Sequence, residues 1–121
     1  GADQPALTPA DHRRRLGRLG EDLAARFLTA RGGVIVARNV VVGHGEIDLV
    51  VRFGRSVAAV EVKTIIPSVP SDDPLDHFTA SKARQVSTLA GALEPGVYRV
   101  EVVGVTVRPL GVDIRWLPYA A

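Results

Sequence analysis

Charged residues interrupt two segments of the chain that are otherwise mainly apolar. Glu46 and Asp48 lie in "GEIDLVVRF", and Glu61 and Lys63 lie in "SVAAVEVKT", each couple two residues apart. Side chains alternate across a β-strand, so residues two apart share one face. If both segments are strands, Glu46 and Asp48 share one face of the first with Arg52, and Glu61 and Lys63 share one face of the second.

The spacing between the two segments predicts how these charges face one another. Only a glycine and an arginine separate the segments, which predicts a β-hairpin with a tight turn. Pairing continued outward from the turn places Asp48 opposite Glu61 and Glu46 opposite Lys63. Two opposed carboxylates lie roughly 5 Å apart between Cβ atoms and destabilise a hairpin unless a positive charge lies between them. A divalent cation would supply that charge.

Magnesium suits such a carboxylate pair. It prefers oxygen ligands, takes one or two protein carboxylates and keeps other positions for water and substrate phosphate. An ammonium group such as that of Lys63 can orient a nearby water or stabilise charge on a phosphate. Of fifteen basic residues only Lys63 and Lys82 are lysine, which favours a specific role for an ammonium group. The combination indicates phosphodiester hydrolysis.

The same pattern also has an ordinary structural interpretation. Aspartate, glutamate and lysine on one face of a hairpin commonly form a solvated surface with cross-strand ion pairs. Against this, the predicted face continues with Val50, Val57 and Ala59, so a helix is expected to cover part of it. Charged groups at the margin of a buried face need partners. The residues by themselves leave both interpretations open.

A long helix is predicted before these strands, in "TPADHRRRLGRLGEDLAARFLTARGG". Thr8 can cap it, Pro9 suits the first helical position, Asp11 completes a capping box, and Gly32 with Gly33 can end it. Its predicted apolar stripe comprises Leu16, Leu19, Leu23, Phe27 and Ala30.

Glu21 lies at the flank of that stripe, one turn beyond Gly17. Gly17 and Gly20 each cost roughly 1 kcal/mol relative to alanine inside a helix, a cost that close approach of another segment would offset. Such packing would bring Glu21 to the carboxylate pair. Taken alone, a glutamate at this position more commonly forms an i to i+4 ion pair with a neighbouring arginine or is solvated.

The remaining elements complete an α/β order. "VIVAR" predicts a short strand after the first helix, and the polar loop "IIPSVPSDDPLD" is expected to form a mobile flap beside the site. A second helix is predicted over residues 79–93, followed by the strands "VYRVEVVGVTV" and "VDIRWLP", which turn at "RPLG". The predicted order is α-β-β-β-α-β-β, typical of a mixed β-sheet with helices packed on it. The predicted apolar positions of the second helix are Val86, Leu89, Ala90 and Leu93.

Composition excludes several classes of protein. The chain has 121 residues with 46% hydrophobic content, enough for one domain with a core. It has no cysteine, which excludes disulfides, zinc-thiolate sites and thiol nucleophiles. The absence of a long apolar run predicts a cytoplasmic protein with no membrane span. Without cysteine, a metal would be held by oxygen atoms or histidine, and His12, His44 and His77 lie at no metal-ligand spacing from one another.

Three segments, "GRLGEDLAARFL", "GEIDLV" and "VEVKT", resemble the YraN family of bacterial proteins, described as predicted endonucleases of restriction-endonuclease-like fold. The resemblance covers roughly residues 16–105. Its order of a helix glutamate, a strand aspartate and Glu-x-Lys is similar to the PD-(D/E)XK nuclease signature, which archaeal Holliday-junction resolvases share. It implies a restriction-endonuclease-like mixed β-sheet, with residues 1–8 as a flexible leader and residues 9–121 as one nuclease-like domain.

The resemblance also implies roles for individual residues. Asp48 and Glu61 would be metal ligands with the Val62 carbonyl as a third, Lys63 the catalytic lysine, and Glu21 a helix carboxylate near the metal. Glu46 is a secondary candidate. On the second helix, Lys82 and Gln85 would contact the scissile phosphate or only solvate the helix. The chain departs from the family pattern at Val40, Ile65 and Glu101.

Two functions follow from the sequence. The first is a Mg²⁺- or Mn²⁺-dependent nuclease that acts on branched, nicked or single-stranded DNA, as a monomer or a homodimer. Four arginines would then bind DNA phosphates, which makes binding salt-dependent. The second is a non-catalytic module that binds nucleic acid or a protein partner on the same fold. The four arginines are Arg13, Arg14, Arg15 and Arg18.

Overall fold

Helices and strands follow one another in the predicted α-β-β-β-α-β-β order in the computed structural model, which describes residues 5–78, 80–93 and 98–118. A short 3₁₀ helix, Pro74–His77, precedes the second α-helix. The elements are α1 Pro9–Ala30, β1 Val34–Val42, β2 Gly45–Phe53, β3 Ser56–Ile65, α2 Ala80–Leu93, β4 Tyr98–Arg108 and β5 Gly111–Pro118.

The strands form one mixed sheet in the order β1-β2-β3-β4-β5. β3 and β4 pair in parallel, and every other neighbouring pair is antiparallel. Parallel neighbours need a crossover connection, which α2 provides between β3 and β4. The predicted α/β fold class, a mixed sheet with helices packed on it in the predicted order, is therefore confirmed. None of the helices in the described ranges is both long and apolar enough to cross a membrane.

The two helices cover opposite faces of the sheet, so the core has two parts. Small and apolar residues of α1 pack on one face, and Val86 of α2 packs on the other. Both faces of the central strands are buried, which explains their nearly continuous apolar sequences. The α1 face contains Ala24, Ala25, Leu28, Leu49, Val51, Ala58, Val60, Val103 and Val105, and the α2 face contains Ile47, Val50, Ala59 and Val86.

α1 begins as predicted, with a capping box. The Thr8 hydroxyl accepts a hydrogen bond from the Asp11 amide (3.1 Å), and the Asp11 carboxylate accepts one from the Thr8 amide (3.0 Å). The helix ends at Ala30, with Arg31 as its C-cap.

The buried stripe of α1 differs from the prediction. Leu23 and Phe27 pack against the core as expected, but Leu19 and Ala30 are exposed. The fully buried positions are mainly small ones, Gly20, Ala24 and Ala25, together with Leu28. A Cβ atom on Gly20 would lie 1.7 Å from the Thr64 hydroxyl, so α1 lies too close to β3 for a side chain there. The close approach selects small residues, which a search for large apolar residues misses.

The predicted hairpin register is confirmed near the turn and ends sooner than expected. Phe53 pairs with Ser56, and the β2–β3 pairing continues to Leu49 with Val60. Beyond that pair, the Asp48 carboxylate accepts a hydrogen bond from the Val62 amide (2.8 Å). Neither predicted pair, Asp48 with Glu61 or Glu46 with Lys63, belongs to the β2–β3 pairing, since the Asp48 side chain occupies a backbone donor of β3.

The alternation of side chains in β2 is interrupted at Asp48. Ile47 and Val50 belong to the same cluster against α2, although a regular strand would place them on opposite faces. Asp48 and Leu49 both lie on the α1 side of the sheet. The prediction that Asp48 and Val50 share a face is therefore wrong. The facing residue of β1, Asn39, has a left-handed φ of 51°, so both strands are irregular at this point.

The segment between β3 and α2 packs on β4 and β5, away from the carboxylates of β2. The Asp72 carboxylate accepts hydrogen bonds from the amides of Ser68 and Val69, and Asp73 forms an ion pair with Arg115 of β5. Pro74, which is buried, packs over Gly104 of β4. The expectation of a flap beside the carboxylates is therefore not met, because the segment packs on β4 and β5.

Two predicted boundaries also differ from the structure. β1 continues past "VIVAR" to Val42. α2 is described from Ala80, and Thr79 lies outside the described residues. Val86 of α2 is buried as predicted, whereas the side chains of Leu89, Ala90 and Leu93 lie outside what the structure describes.

Candidate metal centre

Three carboxylates converge where α1 crosses the irregular part of β2. Oxygen atoms of Glu21, Glu46 and Asp48 lie within 4.8 Å of one another. They line a cavity of about 480 Å³ together with Arg14, Gly17, Arg18, Asn39 and Val62. Three negative groups at this separation repel one another strongly unless a cation or protons neutralise them.

The close packing of α1 places Glu21 in this cluster. Gly20, the preceding residue, allows the helix to lie against Thr64 of β3. Glu21 then points along the flank of the helix toward β1 and β2, where it meets Asn39 and the other carboxylates. The structure thus places Glu21 close to Asp48, as the resemblance implied, and explains why glycine precedes it.

Asn39 connects two of the carboxylates and was missed by the sequence reasoning. Its Nδ2 atom donates a hydrogen bond of 2.8 Å to Glu21 and another of 2.8 Å to Glu46. Its left-handed backbone is one that asparagine tolerates better than most other residues. A polar residue that interrupts the apolar run of β1 was the available signal, and its contacts depend on the fold.

The environment of Asp48 disfavours its negative charge. Burial raises the pKa of the Asp48 carboxyl to about 7, and the nearby Glu61 carboxylate adds to the rise. The hydrogen bond from the Val62 amide opposes the shift, because it favours the ionised form. Burial also raises the pKa of Glu21, while the hydrogen bond from Asn39 lowers it. A divalent cation would reverse this balance by favouring ionised carboxylates.

Glu61 lies beside Asp48 but outside the cluster of three. One of its oxygens forms an ion pair of 3.2 Å with Lys82 of α2, and its side chain is only 12% exposed. The other oxygen, Oε2, is buried without a hydrogen-bond partner. Buried polar atoms normally have a partner, so a buried carboxylate oxygen without one is a position where a cation could bind. Glu61 therefore lies next to Asp48 and contacts α2, and it is not one of the three converging carboxylates.

The residues predicted to contact DNA lie in four different surroundings. Lys63 is exposed and lines a second cavity, of about 230 Å³, together with Arg13 and Thr64. Arg14 and Arg18 line the carboxylate cavity, and Arg14 also pairs with Asp11. Arg15 is exposed and belongs to neither wall. On α2, Lys82 contacts Glu61 and Gln85 is exposed.

The donor atoms suit a hard divalent cation. Carboxylate oxygens from α1 and β2 converge in the cluster, and the Glu61 carboxylate lies beside Asp48, so these side chains offer oxygen ligands. Oxygen-rich sites suit Mg²⁺ and Mn²⁺, whereas zinc sites in proteins are richer in nitrogen and sulfur. His12 and His44 are exposed and lie outside the cluster, and the His77 side chain is not among those described.

Comparison with known proteins gives consistent matches across most of the chain. The model of the family described as "Uncharacterised protein family UPF0102" matches residues 20–105, a range that contains every carboxylate of the site. A UPF0102 protein of Leifsonia xyli is 39% identical over 97 residues, covering 74% of this chain and 80% of the relative. One from Symbiobacterium thermophilum is 41% identical over 104 residues, covering 81% and 87%.

Two solved structures are also similar, at lower levels. Hjc of Archaeoglobus fulgidus, a Holliday junction resolvase, is 24% identical with a TM-score of 0.46, covering 87% of this chain and 75% of that one. SfsA of Pyrococcus furiosus, solved with Ca²⁺, is 16% identical with a TM-score of 0.37, covering 88% and 63%.

Proposed function

Since the chain belongs to the UPF0102 family, which is the YraN family, we propose that it is a metal-dependent nuclease that hydrolyses phosphodiester bonds in DNA. The observation that carries the proposal is the convergence of Glu21, Glu46 and Asp48 in a cavity whose rim carries arginines. The cavity combines oxygen ligands for a cation with positive charge for a phosphate, the two requirements of phosphodiester hydrolysis.

The carboxylates would hold a Mg²⁺ or Mn²⁺ ion. Glu21, Glu46 and Asp48 supply the converging oxygens, with Glu61 and the Val62 carbonyl as further ligands on the β3 side. When bound, such an ion polarises the phosphate and makes a nearby water a stronger nucleophile. The fold contributes a partly buried cavity in which these charges act with less screening than in water.

Lys63 and the arginines would bind and orient the substrate. Lys63 follows Val62 in β3, and from this position its ammonium group can stabilise charge on the phosphate. Arg13, Arg14 and Arg18 line the two cavities and would contact neighbouring phosphates. These contacts read backbone charge rather than base sequence, which suits branched, nicked or single-stranded DNA. Contacts of Arg15 and Gln85 with DNA stay predictions, as does assembly into a homodimer.

One observation favours a second function, that of a non-catalytic DNA-binding module. Lys82 already pairs with Glu61, the glutamate of the Glu-x-Lys motif. If that ion pair persists when metal is present, Glu61 is not available as a ligand. The protein would then bind DNA through its arginines without cutting it.

Mn²⁺-dependent cleavage of labelled single strand, duplex, flap and four-way junction tests the proposal. We expect cleavage by the native protein, and a loss of roughly 10²-fold or more in Lys63→Ala, the range typical of removing a group that stabilises charge in the transition state. The Asp73→Asn variant, which alters the distant β4–β5 side, is the matched control. Equal cleavage by native protein and Lys63→Ala, or none by either, would favour the binding module.

A further inference from the structure

The two glycines of α1 differ in how closely other atoms pack against them. A Cβ atom on Gly20 would collide with Thr64, whereas one on Gly17 would meet no atom within 4 Å. Glycine is a poor helix former, so it needs a reason inside a helix. Close packing supplies that reason at Gly20. At Gly17, which lies in the middle of α1, packing supplies none.

Gly17 lies at the junction of two cavities. The carboxylate cavity and the smaller cavity beside Lys63 share two wall residues, Gly17 and Val62. Gly17 belongs to α1 and Val62 to β3, so the two cavities adjoin where the helix faces the strand. A side chain on Gly17 would project into open space where the two cavities adjoin, because no atom lies within 4 Å of an added Cβ.

The two cavities differ in charge. The larger one contains three carboxylates, suited to a cation, with Arg14 and Arg18 at its wall. The smaller one contains two basic side chains, Arg13 and Lys63, and no acidic one. The phosphates of a DNA strand that spans both cavities would therefore meet the basic side chains in the smaller one and a bound cation in the larger one.

We infer that Gly17 keeps open a groove that carries one DNA strand from the basic cavity of Arg13 and Lys63 to the metal centre. The strand crosses α1 at Gly17 because the missing side chain is what connects the two cavities. This inference rests on the proposed nuclease function and adds the path of the substrate. Gly17 is a positioning residue, since it contacts neither the cation nor the reacting phosphate.

The variant Gly17→Leu tests the groove without touching a charged group. Leucine is a better helix former than glycine, so we expect a melting temperature equal to or above that of the native protein. Mn²⁺ affinity, measured by calorimetry, is expected to stay within two-fold, since the carboxylates are unchanged. Affinity for a fluorescein-labelled single strand, measured by anisotropy with Ca²⁺ in place of Mn²⁺, is expected to fall at least ten-fold.

Ala30→Leu is the matched control, because Ala30 is exposed on the same helix and lies outside both cavities. We expect this variant to bind the strand as the native protein does. Native-like strand binding by Gly17→Leu, loss of its Mn²⁺ binding, or native protein that binds Mn²⁺ but no strand would each overturn the groove. Native protein that binds no Mn²⁺ would instead contradict the proposed function.

Discussion

Two cavities of about 480 Å³ each contain three acidic residues, but they differ in how the acidic side chains are partnered. In the cavity between β4, β5 and the preceding loop, Asp73 pairs with Arg115 and Asp113 pairs with Arg108. Asp72 accepts two backbone hydrogen bonds. Every acid there has a partner within the fold.

In the cavity between α1 and β2, the acids face one another. Among the described residues, the neutral amide of Asn39 donates to Glu21 and Glu46, and one backbone amide donates to Asp48. Neutral donors orient carboxylates without cancelling their charge. The comparison shows that an acidic cavity is a candidate site when its charges are left unneutralised, and a structural feature when arginines complete it.

The largest expected difference concerns pH. The pKa of Asp48 is about 7 in the folded protein against 3.8 for an unperturbed aspartate, so the folded state binds the proton more tightly. Without metal, the free energy of unfolding should therefore fall as pH rises from about 4 to about 7, by on the order of 2 to 4 kcal/mol. Asp48→Asn should remove this decline.

Urea denaturation in EDTA across this pH range measures the effect. Asp113→Asn, in the arginine-paired cavity, serves as the control and should keep the decline, because it leaves Asp48 intact. A native protein whose stability is flat between pH 4 and 7 would contradict the view that the α1–β2 cavity leaves its charges unneutralised.

A smaller effect is expected from the residue that orients the carboxylates. Asn39→Gly keeps the left-handed backbone but removes both hydrogen bonds to Glu21 and Glu46. Partners that orient metal ligands typically contribute 10- to 100-fold in affinity, so we expect Mn²⁺ binding to weaken by about that factor. Calorimetric titration of the variant measures it.

Arg38→Ala is the matched control for Asn39. It removes the neighbouring ion pair between β1 and α1, Arg38 with Asp22 at 2.6 Å, and leaves the carboxylates in place. Equal Mn²⁺ affinity in Asn39→Gly and Arg38→Ala would show that the carboxylates hold their positions without the amide.

The smallest effect is expected in the paired cavity. Arg115→Ala breaks the ion pair with Asp73, which is partly exposed, so the free energy of unfolding should fall by about 0.2 to 1 kcal/mol. Mn²⁺ affinity should not change, because the metal centre lies elsewhere. A loss of Mn²⁺ binding in this variant would show that the two cavities are coupled and that the comparison is wrong.

Much of the local structure could be predicted from the sequence because it depends on neighbours along the chain. The capping box of Thr8 and Asp11 and the turn between Phe53 and Ser56 were both predicted correctly. The apolar stripe of α1 was predicted incorrectly, since close packing at Gly20 favoured small residues over Leu19.

The candidate site was only partly predictable, because it also depends on contacts between segments that are far apart in the chain. Asp48 and Glu21 were named through motif and resemblance, and the structure brings them together. Glu46 was a secondary candidate and lies in the cluster, whereas Glu61 lies toward Lys82. Regular alternation could not anticipate this division, because β2 changes faces at Asp48.

By itself, then, the sequence determined the elements, their order and the kinds of chemical group available: oxygen ligands, arginines, and lysine at two positions. Tertiary structure decided which groups meet. The approach of α1 to Thr64, the left-handed Asn39 and the break in β2 bring distant carboxylates together. Periodicity describes one segment at a time, whereas these contacts depend on how segments far apart in the chain pack in space.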